Sequence, residues 1–359
     1  MQAPAQPGVD RRSERLTYCA LLAAAVLGSS VWFVSDVGAN DLWWHLAAGR
    51  EFFAHGHVPR LDTLSFTFAD QPWANHEWLW GVAAFALYRS DPEWLALANF
   101  ALLALALAGT FETSLRVAYA PAAAVVACWL AASCTSFFSD IRPHLVTLLG
   151  TALILATRDV RCAPWLWPGL LVLWCNLHAG YLFGLGAVGL LVLTRGVQLR
   201  LRGAHVSWTR RRWFAACASL VLCCLAIGCN PWGFQLLDYV LSYAPGAQRS
   251  LYANELNEWQ PLGFGWSELR FFGPIAWWST FRGRYACVLA LAAVGIPRVW
   301  RRDPYVVWLA LTTVLMALRA QRFVELSVLA LAPLVATGIA LLSGWLARPL
   351  LRLPSAVRP

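Results

Sequence analysis

The sequence predicts an all-α protein, a polytopic bundle of about ten transmembrane helices with two long loops on one face. Three observations carry that prediction. The 359 residues are 59% hydrophobic and 13% charged, whereas globular chains carry about 25% charged residues. The apolar residues fall in runs of roughly 15–25 with arginine clusters between them, the length scale of a bilayer-crossing helix. The 28 basic residues are all arginine and concentrate in alternate loops, as the positive-inside rule requires. A soluble enzyme, a secreted disulfide domain and a disordered chain are excluded. The absence of lysine also removes Schiff-base lysine and P-loop chemistry.

The elements follow in chain order. Arg11, Arg12 and Arg15 precede the run 16–35. No small-residue cleavage site with a soluble domain follows, so the run reads as a retained helix rather than a signal peptide. Further spans are expected at 93–115, 119–138, 143–157, 164–177, 179–199, 213–229, 283–299, 304–318 and 322–346. Proline and glycine within several of them are tolerated where neighbouring helices repair the backbone. The stretch His76–Arg89 is apolar but only about fourteen residues long, too short to span. It reads as an interfacial or re-entrant helix.

Ten spans place both termini on one side. With that side cytoplasmic, the inner segments hold 18 of the 28 arginines against five acids, and the outer side holds ten arginines and thirteen acids. The net charge of +9 therefore reports orientation and implies no nucleic-acid partner. The chain reads as one integral membrane domain, 1–359, with extracytoplasmic loops at 36–92 and 230–282. The ten cysteines sit in or beside apolar runs without CxxC spacing, as small packing residues do. No metal-ligand spacing is present.

Long loops concentrate function, and six of the seven histidines fall on the outer side or its rim. Asp41 and His45 are four apart, so on a helix they share a face. Asp41 is either the start of an amphipathic helix or a partly desolvated base. His76 and Glu77 precede the interfacial helix as caps or as site residues. Arg142 and His144 in S-D-I-R-P-H, with Arg319 and Arg322 in L-R-A-Q-R, are cations near hydrocarbon, which are paired or functional. Local pairs would join Arg142 to Asp140 and Arg322 to Glu325. Asn176 and His178 interrupt two apolar runs at one tight break and are expected to share a surface. Asn230-Pro231-Trp232-Gly233 reads as a turn. Glu258 and Trp259 are the acceptor-side candidates in the second loop. Eleven of the 21 tryptophans lie in 36–94 and 230–282, as interface anchors or as faces for sugar rings.

The first loop resembles that of the GT-C superfamily of membrane glycosyltransferases, which includes protein mannosyltransferases and aminoarabinose transferases. The likeness rests on Asp41 soon after the first membrane helix, then A-A-G-R at 47–50, a G-x-x-P turn at 56–59, and P-W-A-N-H-E-W-L at 72–79. Leu42 stands where the family commonly has a second acid, and His76-Glu77-Trp78-Leu79 stands in place of its P-P-L stretch. The W-x-N-x-H-x-G break, the R-P-H step and the N-P-W-G turn also resemble a set of largely uncharacterised bacterial membrane proteins related to these enzymes.

The resemblance implies a hexosyl- or pentosyl-transferase in a bacterial inner (plasma) membrane, acting at the extracytoplasmic face. It would move a sugar from a polyprenyl-phosphate donor to a glycan, lipid or protein acceptor. Asp41 would assist the acceptor. Arg142, His144, Arg319, Arg322, His76, Glu77, Asn176, His178, Glu258 and Trp259 would line the substrate and phosphate site. The resemblance assigns no certain cofactor, and a divalent cation is compatible. Two other classes remain open. A lipid flippase or transporter needs charges in mid-helix and an internal repeat, and neither is seen. A non-catalytic scaffold would bind a partner through the tryptophan-rich loops.

Overall fold

A computed structural model describes residues 11–30, 32, 40–135, 141–202, 208–242, 256–264 and 266–351. Among the described residues the protein is all-helical, with fourteen α-helices and no strand. The first predicted run is α1 (Arg11–Ser30), and the first long loop holds α2 (Asn40–His55) and α3 (Trp78–Ser90). Six helices follow: α4 (Pro92–Ala118), α5 (Pro121–Thr135), α6 (His144–Thr157), α7 (Ala163–Leu177), α8 (Tyr181–Arg202) and α9 (Arg210–Ala226). The second long loop carries α10 (Gln235–Leu241), a 3-10 turn at Asn257–Trp259 and α11 (Trp266–Ser279). The chain ends with α12 (Phe281–Arg302), α13 (Pro304–Arg319), a 3-10 turn at Gln321–Phe323 and α14 (Val324–Leu351). Each apolar run expected to be helical is helical over most of its described residues, with 31, 33–35 and 136–138 lying outside the described residues.

Among the described residues three stretches are long and apolar enough to cross a membrane: Pro92–Ala118, Tyr181–Leu201 and Gln321–Leu346. At 27 residues, α4 is about 40 Å long, more than the ~30 Å hydrocarbon layer. The helices α5, α6 and α13 are apolar but shorter.

Local chemistry sets the junctions. Asp91 alone separates α3 from α4; its extended backbone ends the first helix, and its carboxylate accepts the Glu93 amide to start the second. Pro92 at the first helical position suits that start. Thr209 and Thr280 cap α9 and α12 through their hydroxyls. Gly273, at φ 82°, breaks α11 ahead of Pro274.

The core is built round α14, which is buried on all sides from Val324 to Gly338 and packs against α4, α5, α12 and α13. Its crossing with α12 is reciprocal. A Cβ on Gly295 would strike the Leu334 carbonyl, and one on Gly338 would strike that of Leu291. Small residues let two backbones approach in this way. The α2–α3 pair uses the same device, with Gly49 against the Gly81 carbonyl. All ten cysteines are free.

The polar residues gather at two opposite ends. At one, where α6 and α8 finish and α13 starts, Arg158 meets Asp303 at 2.8 Å and Arg195 meets it at 3.0 Å. Arg195 also reaches Asp159 at 3.3 Å, and Arg212 donates to the carbonyls of Arg158, Asp159 and Val160. Burial alone would raise the Asp303 carboxyl, but Arg158 and Arg195 outweigh it and hold it below the usual range. The other end, where α6 and α14 start and α7 finishes, carries the candidate site.

Candidate functional site

Four side chains from four separate segments form one chain of charges. Asp41 lies in the first turn of α2, Arg142 just before α6, Glu258 on the turn Asn257–Trp259, and Arg322 on the turn Gln321–Phe323. Arg142 Nε lies 3.3 Å from Asp41 Oδ2, and its Nη1 lies 3.2 Å from Glu258 Oε2. Arg322 Nη1 lies 3.2 Å from Glu258 Oε1. The Arg322 guanidinium stacks 4.3 Å over the Trp259 ring. The Glu258 segment is pinned beneath by backbone bonds, Gln321 N–H to the Gln260 carbonyl and Leu262 N–H to the Leu318 carbonyl. Asp41 is half exposed, while Arg142, Glu258 and Arg322 are about a quarter exposed.

Beside this chain Glu77 is the hub of a buried imidazole cluster. His76 Nε2 and His178 Nε2 each lie 3.5 Å from one Glu77 oxygen, and His45 Nε2 lies 3.6 Å from the other. Glu77 is at the N-cap position of α3 yet makes no side-chain cap bond, so the capping alternative does not describe it. Burial would raise its carboxyl, but His76 foremost, then His178 and His45, hold it down at about 2. Burial pushes the His45 imidazole down to about 4 and that of His178 to about 3. His76 goes the other way: burial opposes its charge, and the Glu77 carboxylate beside it wins and raises it. The cluster therefore sets two neutral rings, His45 and His178, beside an ionised Glu77 whose charge favours the protonated form of His76.

The protons on His178 can be assigned. Its Nδ1 accepts the Gly180 amide at 3.1 Å and lies 2.7 Å from Thr147 Oγ1. Thr147 Oγ1 itself accepts the Trp174 indole N–H at 3.1 Å, so its hydrogen turns to the imidazole. His178 Nδ1 is an acceptor and Nε2–H faces Glu77. Asn176, on the last turn of α7, accepts the Trp78 indole N–H at 2.8 Å and donates to the Cys229 carbonyl. The two long loops also meet, Arg60 donating to the Pro231 carbonyl at 2.8 Å. Asn230-Pro231-Trp232-Gly233 is the expected turn, with the Asn230 oxygen accepting the Trp232 amide and Gly233 at φ 60°.

Of the residues singled out in the sequence, all but Arg319 come together here. Arg319 is exposed at the end of α13 and makes no ion pair among the described residues. The expected Arg322–Glu325 pair is replaced: Arg322 takes Glu258, and Glu325 takes His144 Nε2 at 3.0 Å. Asp140, the expected local partner of Arg142, lies outside the described residues. Sequence reasoning missed Thr147 and Trp174 as supports of His178. The signal for Thr147 was its spacing of three from His144 on one helix.

Among the described residues no group of three or more His, Cys, Asp or Glu side chains can hold a metal ion. The groove lined by Val294, Pro297, Arg298, Arg301, Arg302 and Leu341 belongs to α12 and α14 near the opposite end. No protein-family model matches the chain, and no curated protein matches it.

Proposed function

We propose that the protein is an integral membrane glycosyltransferase of the GT-C kind, moving a sugar from a polyprenyl-phosphate donor to an acceptor hydroxyl at the extracytoplasmic face. The observation that carries this reading is the Asp41–Arg142–Glu258–Arg322 chain, which joins a carboxylate to two guanidiniums across four loops. The acceptor oxygen attacks the anomeric carbon from the face opposite the phosphate and gives its proton to Asp41. The bond from that carbon to the phosphate oxygen breaks, and the electron pair leaves with the phosphate. Arg142 and Arg322 bind the departing oxyanion, a role suited to planar guanidinium. The outcome is inversion.

Ten spans, cytoplasmic termini and a bacterial inner-membrane location complete the proposal. The two polar ends support it, because residues on alternate connections fall at alternate ends. The helix α3 starts where α7 finishes, with Trp78 bonded to Asn176, and a single residue separates it from α4. That supports an outer-face helix rather than an eleventh span. Transfer by purified protein from a polyprenyl-phosphate-sugar is the test. Asp41→Asn abolishes transfer while retaining lipid binding; full activity in that variant refutes the mechanism.

A further inference from the structure

We propose that Glu258 is a resident anion, a carboxylate that occupies the guanidinium pair in the free protein and yields it to the phosphate of the lipid. The inference rests on the glycosyltransferase reading and adds to it the competition that governs access to the site.

The geometry is that of an anion clamp already filled. One Glu258 oxygen faces Arg142 and the other faces Arg322, each at 3.2 Å. Two oxygens of a phosphate present a similar pair to two guanidiniums. Both contacts are long beside the roughly 2.7–2.9 Å of a strong charge-assisted bond, and neither is a bidentate fork. Such a contact exchanges readily. Glu258 rides on a three-residue turn and is about a quarter exposed, so a change of rotamer frees it. The parts that must stay are held by other bonds. Trp259 remains under Arg322, and the backbone bonds of Gln260 and Leu262 fix the turn against α13 and the Gln321–Phe323 turn.

Charge balance points the same way. In the free protein Arg142 pairs with Asp41 and Glu258, and Arg322 pairs with Glu258. A phosphodiester entering beside both carboxylates adds an anion in close repulsion with at least one of them. With Glu258 withdrawn, the diester replaces one negative charge with another and that repulsion is relieved. Transfer converts the diester to a phosphate monoester that carries more negative charge, and the return of Glu258 competes with that product for the same nitrogens. Glu258 thus acts on both entry and release without touching the sugar.

The test is equilibrium binding of a polyprenyl monophosphate to the purified full chain in detergent or nanodiscs. Proteins compared are the wild type, Glu258→Gln, Glu258→Ala, Arg142→Ala and Arg322→Ala, each checked for cooperative thermal unfolding. Removing a competing, partly exposed ion pair tightens binding by roughly fivefold in both Glu258 variants, and each arginine variant weakens it by about tenfold or more. Inorganic phosphate as a second probe follows the same order at lower affinity, and the unphosphorylated polyprenol shows no dependence on Glu258. The sign is decisive, since a merely bracing or ligand-contacting Glu258 makes both variants bind more weakly. Wild-type or weaker binding in both, with the arginine variants still impaired, overturns the resident-anion inference and leaves the phosphate reading standing. Unchanged binding in both arginine variants overturns the phosphate reading itself.

Discussion

Acidification tests the imidazole cluster directly. The His45 and His178 side chains are 2% and 14% exposed, so solvent screens little of what burial does to them. Their folded pKa values of about 4 and about 3 lie below the 6.5 of an unfolded histidine. A depressed folded pKa means that the unfolded chain binds the extra proton. Stability is therefore complete above pH 6.5 and is lost as pH falls toward 4. Between pH 6 and pH 5 both rings are neutral when folded and largely protonated when unfolded. Uptake of two protons gives a slope of about 2.7 kcal/mol per pH unit at most. His76, raised rather than lowered, has the opposite sign: its contribution is present below 6.5 and lost as pH rises past its folded value. Glu77 acts below pH 4.5, losing its contribution as pH falls toward about 2. Within the Glu77 cluster the window from pH 6 to 5 thus isolates His45 and His178. Denaturant unfolding in detergent, followed by the fluorescence of the buried Trp167, Trp174 and Trp208, measures the slope. The His45→Gln/His178→Gln double variant loses most of it. An equal slope in wild type and double variant refutes the burial argument.

Substitutions at three further positions have expected outcomes in the same unfolding measurement. Glu77→Ala leaves His45, His76 and His178 without their shared carboxylate and costs about 3 kcal/mol; Glu77→Gln keeps an acceptor and costs less. Arg158→Ala strips Asp303 of its 2.8 Å partner at the opposite end and costs about 3–5 kcal/mol, with lipid binding at the candidate site unchanged. Gly49→Leu forces a side chain into the Gly81 carbonyl and Phe85, costs about 1–3 kcal/mol and lowers transfer activity, because α2 carries Asp41. Wild-type stability in any of them refutes the packing or pairing from which it was derived.

Much of the fold was legible because long apolar runs favour helices, and over most of its described residues each such run is helical. The site was half legible. Asp41, Glu77, Arg142, His178, Glu258 and Arg322 stand out as polar groups beside apolar runs, and that contrast survives folding. Partners were harder to read. Spacing along a helix favoured Arg322 with Glu325, yet a segment 64 residues away supplies Glu258, and Glu325 turns to His144. Periodicity shows which face a residue shares and is silent on which loop folds over it. Glu77 looked like a helix cap because it precedes α3. Its three imidazole partners come from α2, from its own neighbour His76 and from the α7–α8 connection, and no local signal brings these together.

Trp174 carries a consequence for how variation in this chain is interpreted. Its indole lies in a slot made by two absent methyl groups, since a Cβ on Gly150 or Gly184 would collide with the ring. The ring's N–H fixes the Thr147 hydroxyl, and that hydroxyl helps decide which nitrogen of His178 bears hydrogen. Phenylalanine at 174 would fill most of the slot and bring no N–H. Alanine at 150 or 184, ordinarily a benign exchange within an apolar helix, would push the indole aside and release the same hydroxyl. Proton placement at the polar end is thereby inherited from steric choices in the apolar interior, and a survey confined to charged residues would pass over the positions that set it.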